Sequence, residues 1–124
     1  MRIIDITVFI LCMNIVPVIL IICSIIFKKK PPMEINGSYG FRTKLSMSSQ
    51  EAWDYANKRI VSVWLCQGIV LLVLSVIATI VFLMIDTAIN MHIIWGVAMV
   101  IEIATMILGA ATVQSELKKN KYMN

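Results

Sequence analysis

The sequence predicts an all-α integral membrane protein with three transmembrane helices. Of its 124 residues, 60% are hydrophobic and only 15% are charged, against about 45–50% and about 25% in ordinary soluble domains. The apolar residues gather into three runs, each long enough to cross a bilayer, which takes about 20 residues. The basic residues all lie outside those runs, with lysine clusters directly after the first and shortly after the third. With a mean hydropathy of +0.88, this composition excludes a soluble globular enzyme, a disordered tail and a disulfide-stapled secreted module. A single membrane domain, 1–124, is expected.

The first span is read as 6–27. Its apolar run of 22 residues is longer than the ~7–15 of a signal-peptide core, and Lys28-Lys29-Lys30-Pro31-Pro32 follows in place of a small-residue cleavage site. It is therefore expected to be retained. The second span is read as 63–85 and the third as 91–113. The linker between them, Asp86 to Asn90, is short enough to force an antiparallel hairpin.

The net charge of +4 invites a nucleic-acid reading, but the position of the charges argues for lipid. Lys28, Lys29, Lys30, Arg42, Lys44, Lys58 and Arg59 lie in the loop 28–62, and Lys118, Lys119 and Lys121 lie in the tail 114–124. Only Arg2 lies on the other side. By the positive-inside rule the N-terminus is outside, and the loop and C-terminal tail are cytoplasmic. The expected partner surface is membrane lipid, with no direct nucleic-acid contact.

Within the loop, Pro31-Pro32, Gly37 and Gly40 predict irregular backbone. Ser48-Ser49-Gln50-Glu51 then matches a capping box, a serine and a glutamate that satisfy free backbone donors at a helix start. Ala52, Trp53, Ala56 and Ile60 recur at helical spacing opposite Asp54 and Lys58. An amphipathic helix over about 49–60 is expected, lying at the interface or running directly into span two.

Membrane helices associate through small and polar residues, because lipid is as apolar as leucine. Span three carries Ala98, Glu102, Thr105, Gly109 and Thr112 on one stripe, and span two carries Gly68, Leu72, Ser75, Thr79 and Phe82. The two stripes are expected to face each other. Glu102 lies at mid-depth, where acids turn inward and find partners. Asn14, Ser75 and the Met13 carbonyl freed by Pro17 would complete an intramembrane polar cluster with it. Two readings of Glu102 stand. It is a neutral carboxyl bonding span one to span three, or it is a proton or cation site, or a group that meets a cationic peptide.

Catalytic and metal chemistry is not expected. Cys12, Cys23 and Cys66 read as small apolar residues, and His92 lies at the end of span three. No nucleophile–base pair, metal-ligand set or cofactor motif can be assembled.

The stretch Asn36-Gly37-Ser38-Tyr39-Gly40-Phe41-Arg42-Thr43, followed by Ser48, Glu51, Ala52, Trp53 and Asn57, resembles the signature of the SdpI-like (SdpI/YfhL) family. These are membrane proteins typified by a bacterial immunity factor against a secreted cannibalism toxin. The matching positions are Gly40, Arg42, Thr43, Ser48, Trp53 and Asn57, and the likeness runs from Lys28 to Val113. The resemblance implies a multi-pass protein of a bacterial cell membrane that confers resistance to a peptide toxin. It also implies a cytoplasmic transcriptional repressor as a partner. The typifying protein has more spans than the three read here.

The candidate binding positions are thus Arg42, Thr43, Trp53, Asn57 and Glu102. Gly40 permits a tight turn. Arg42 offers a planar fork, either to Glu34, Glu51 or Asp54 within the chain or to an external carboxylate or phosphate. Trp53 is expected to anchor the amphipathic helix at headgroup level, as Trp64 would anchor span two. The competing reading is a proton-linked transporter or channel subunit using Glu102, which would require a homo-oligomer because three helices enclose little.

Overall fold

The computed structural model describes residues 3–85 and 90–120. Over these it consists of three helices and their connections: α1 (Ile3–Lys29), α2 (Gln50–Met84) and α3 (Met91–Lys119). All three are long and apolar enough to cross a membrane. The linker Asp86–Ile89, Arg2 and Lys121 lie outside the described residues.

Side-chain caps set the helix starts. Ser49, in extended backbone, accepts the Ala52 amide, and Asn90 accepts the His92 amide. The cap of α2 thus falls on Ser49, one residue beyond the serine that the Ser-x-x-Glu pattern picks out. Ser48 instead donates to the Leu45 carbonyl at 2.6 Å. Lysines occupy the last turns of α1 and α3, where they complement the helix dipole.

At 1.5 Å per residue, the 35 residues of α2 extend about 52 Å, well past the ~30 Å of a bilayer's hydrocarbon core. The segment 50–60 is therefore the first part of α2, standing on the membrane span rather than lying flat beside it. Its apolar face is covered by protein. Ala52, Ala56 and Ile60 are fully buried and pack with Val113 and Leu117 of α3 and with Phe41 and Leu45 of the loop. Burying each of the larger aliphatic side chains contributes about 1.5–3 kcal/mol, so a small water-side core holds the helix ends together.

The helices alternate in direction. Phe9 meets Phe82 with ring centroids 4.8 Å apart, Ser75 bonds Asn14, and Phe27 lies 6.4 Å from Trp64. These pairs run antiparallel along α1 and α2. Arg59 with Glu116, and Gln67 with Thr105, set the same relation for α2 and α3. The small residues of α2 do not face those of α3 as expected. A Cβ on Gly68 would lie 2.7 Å from Ile21 Cγ1 and 3.2 Å from Leu20 Cβ, so this stripe is where α1 comes closest. Gly109 of α3 instead makes room for the Gln67 side chain. A glycine lowers the profile of one helix but does not choose which neighbour fills the gap.

Around the bundle, Ile22, Val73, Ile77, Val100, Ile101, Ile107 and Leu108 are exposed. Such a continuous apolar surface is untenable in water and is what a lipid-facing surface requires.

Candidate functional site

The loop between α1 and α2 folds over the lysine-bearing ends of the helices as a tied-down cap. Asn36 Oδ1 accepts the amides of Ser38 and Tyr39, closing the first turn. The Tyr39 hydroxyl donates to the Lys30 carbonyl at 2.7 Å, and its ring meets Phe27 edge-on at 4.7 Å. Trp53 Nε1 donates to the Pro32 carbonyl at 2.8 Å. Asn57 Oδ1 accepts the Phe41 amide at 2.5 Å, while its Nδ2 donates to the Trp53 carbonyl. Gly40, at φ 114°, lies between Asn57, Pro32 and Trp53. Only glycine takes that backbone without strain.

A second turn follows. Ser46 Oγ accepts the Thr43 amide and donates to the Phe41 carbonyl. In return, Thr43 Oγ1 accepts the Ser46 amide. The Thr43 hydroxyl then donates to Gln114 Oε1 at 2.8 Å, fastening the cap to α3. Beside it, Arg59 makes a two-pronged pair with Glu116, with Nε to Oε2 at 2.9 Å and Nη2 to Oε1 at 3.1 Å, and the Tyr55 hydroxyl donates to the same carboxylate. Bonding to Arg59 above all holds the Glu116 carboxyl below its ordinary range. Donation to Glu116 raises the Tyr55 phenol above its own.

The signature residues therefore divide. Trp53 is fully buried, so its indole is covered by protein and not turned outward to anchor at the headgroups as expected; it is an internal strut under the cap. Asn57 is buried beside it, and Thr43 is half-buried at the joint with α3. Arg42 is exposed, as is Ser48 before the start of α2. Among the described residues no ion pair joins Arg42 to Glu34, Glu51 or Asp54, so its guanidinium projects from a turn fixed on both sides.

Next to the cap, a 520 Å³ groove opens between the end of α1, the Pro31–Met33 turn and α2, lined by Phe27, Lys28, Asp54, Lys58 and Leu65 among others. A smaller 160 Å³ cavity lies at the opposite end, between Phe9, Cys12, His92 and Trp95.

Of the expected mid-depth cluster, two members meet. Ser75 Oγ donates to Asn14 Oδ1 at 2.8 Å, and Asn14 Nδ2 donates to the Ile10 carbonyl. Glu102 does not join them by a hydrogen bond. It is 4% exposed, and its Oε2 has no partner among the described residues. Instead Gln67 links α2 to α3, its Nε2 donating to the Thr105 carbonyl at 2.8 Å.

Gln67, Gln114, Ser46 and the Arg59–Glu116 pair were not singled out by sequence. Gln67 carried a usable signal, being an amide within an apolar run. The others looked like ordinary boundary residues.

Compared with known proteins, residues 33–113 match the model of the SdpI/YfhL protein family. This stretch includes the whole signature from Gly40 to Asn57. A 53-residue segment is 42% identical to the uncharacterized protein YfhL of Bacillus subtilis (strain 168). It covers 43% of this chain and 48% of that protein, so the match spans about half of the curated relative. No solved structure matches the chain.

Proposed function

Because the chain belongs to the SdpI/YfhL protein family, we propose that it is a small membrane immunity protein, protecting the bilayer against an antimicrobial or cannibalism peptide. This family is one of membrane immunity proteins and not a known enzyme family. In this reading the N-terminus faces outward, and the cap and the C-terminal end of α3 face the cytoplasm. The orientation is supported by charge: every described lysine and arginine lies at the cap end of the bundle.

The observation that carries the reading is the state of Arg42. Two hydrogen-bonded turns hold its backbone, yet its side chain is exposed without an acidic partner among the described residues. A planar cation on a fixed turn is suited to a carboxylate-bearing partner. The cap would thus present Arg42 to a cytoplasmic regulator while the helices meet the toxin in the bilayer. The test is survival under peptide challenge with and without the gene, together with the transcriptional response to the peptide in the wild type and in Arg42→Ala. Protection by the wild type, with the signalling response lost in Arg42→Ala at equal protein levels, supports it. Unchanged sensitivity to every membrane-active peptide after gene deletion overturns it.

One observation favours a second reading. Glu102 lies near the middle of α3, and its carboxyl is buried with an oxygen unpartnered among the described residues. Acids at that depth mark ion or proton pathways. A proton-linked transporter subunit would use this group, in an oligomer. Proton flux in proteoliposomes that falls in Glu102→Gln supports that reading; flux indifferent to the substitution removes it.

A further inference from the structure

We infer that the groove between α1 and α2 is a binding site for a single anionic phospholipid of the phosphatidylglycerol type. The site lies beyond the immunity reading and depends only on the bundle spanning a bilayer. Three features of the groove argue for this occupant.

The first is its polarity gradient. Along α2 it reaches from Leu65 to Asp54, about 16 Å at 1.5 Å per residue. The Leu65 end, with Phe27 opposite, is apolar; the other end sets Asp54, Asn57 and Lys58 beside the Pro31–Met33 turn. A phospholipid has the same order, from acyl chain through phosphodiester to headgroup.

The second is charge. Lys28 at the end of α1 and Lys58 on α2 contribute to the same groove and are both exposed. Two ammonium groups brought from different helices suit a phosphodiester, and basic clefts between membrane helices recognise anionic headgroups in this way. The acid in the groove, Asp54, already accepts from Gln50 Nε2 at 2.8 Å. Its carboxylate retains acceptor capacity for a headgroup hydroxyl, which phosphatidylglycerol supplies and phosphatidylcholine lacks.

The third is continuity and size. One turn beyond Leu65 on the same face of α2, the exposed Ile69 continues the groove's apolar floor onto the lipid-facing surface. An acyl chain can follow that floor into the bilayer without leaving apolar contact. The volume of 520 Å³ is within the ~300–1,000 Å³ of small-molecule sites.

The full chain is purified from membranes containing phosphatidylglycerol, phosphatidylethanolamine and phosphatidylcholine, and retained lipid is read by native mass spectrometry. The wild type is expected to retain one phosphatidylglycerol in preference to the other two. Lys28→Gln with Lys58→Gln should weaken that retention about thirtyfold. Leu65→Trp, which fills the apolar end, should abolish it, whereas Lys29→Gln with Lys30→Gln should leave it in place. Equal retention of all three lipids overturns the inference. So does an equal loss in the two double variants, which would mark a diffuse charge effect, or full retention in the Lys28/Lys58 variant.

Discussion

Asn57 and Phe41, sixteen positions apart, are joined by a 2.5 Å bond from the Phe41 amide to the Asn57 side-chain oxygen. Both residues are buried, so water cannot replace the acceptor. Asn57→Ala should therefore cost about 1–3 kcal/mol, the penalty of an orphaned buried amide. Asn57→Asp, which keeps an oxygen there, should recover part of it. Thermal melting in mild detergent, with protease sensitivity of residues 33–48, reads both.

Gly40 depends on the same contact. Its φ of 114° disfavours any side chain, and an added Cβ would lie 2.7 Å from Asn57 Oδ1 and 2.9 Å from Pro32 Cγ. Gly40→Ala is expected to destabilise by about 1–3 kcal/mol. Because it displaces the Asn57 oxygen, its effect should be sub-additive with Asn57→Ala in a double-mutant cycle.

The Arg59–Glu116–Tyr55 group makes cap stability depend on pH at both extremes. Glu116 titrates lower in the fold, chiefly through its bond to Arg59. Its contribution is complete above the unfolded carboxyl value of about 4.3 and fades as the pH falls through the depressed folded value. Tyr55 titrates higher, chiefly through its bond to Glu116. That contribution is complete below about 10 and fades as the pH rises through the raised folded value. The Arg59 side chain is 41% exposed, so the pair is worth only about 0.5 kcal/mol after solvent screening. Melting curves across pH should flatten on the acid side in Glu116→Gln and on the alkaline side in Tyr55→Phe.

Two glycines within the bilayer should respond differently to alanine. At Gly109 the new methyl meets the far end of Gln67. That flexible side chain can swing away, and the cost is its bond to the Thr105 carbonyl, about 1 kcal/mol. At Gly68 the methyl meets Ile21 Cγ1 at 2.7 Å and the Ile21 backbone nitrogen at 3.2 Å. Here α1 itself must shift, at about 1–3 kcal/mol. Unfolding in mixed detergent micelles should rank Gly68→Ala below Gly109→Ala in stability.

Much of the architecture was legible in advance, because hydropathy and charge accumulate residue by residue along a span. The three helices were visible, and so was the helical face of Ala52, Ala56 and Ile60. What covers that face was not, since Val113 is only the last residue of the third span as read and Leu117 falls in the tail 114–124. Trp53 shows the same gap. An indole near a membrane boundary commonly anchors at the headgroups, but the Pro32 carbonyl, folded back from the loop, offers its N–H a partner inside the protein. Glu102 was legible as a buried acid but not as one left apart from the Asn14–Ser75 bond.

By itself the sequence determined three helices long and apolar enough to cross a bilayer, with all of the cations but Arg2 gathered at one end. The cost of placing charge in hydrocarbon, and the gain from burying apolar surface, act on each segment whatever its neighbours do. Only the tertiary structure decided that Asn57 and Trp53 are struts, that Arg42 has no acidic partner among the described residues, that α2 turns its glycine to α1, and that a groove opens between Lys28 and Lys58. Those outcomes depend on distances between residues far apart in the chain, which become defined only when the helices pack.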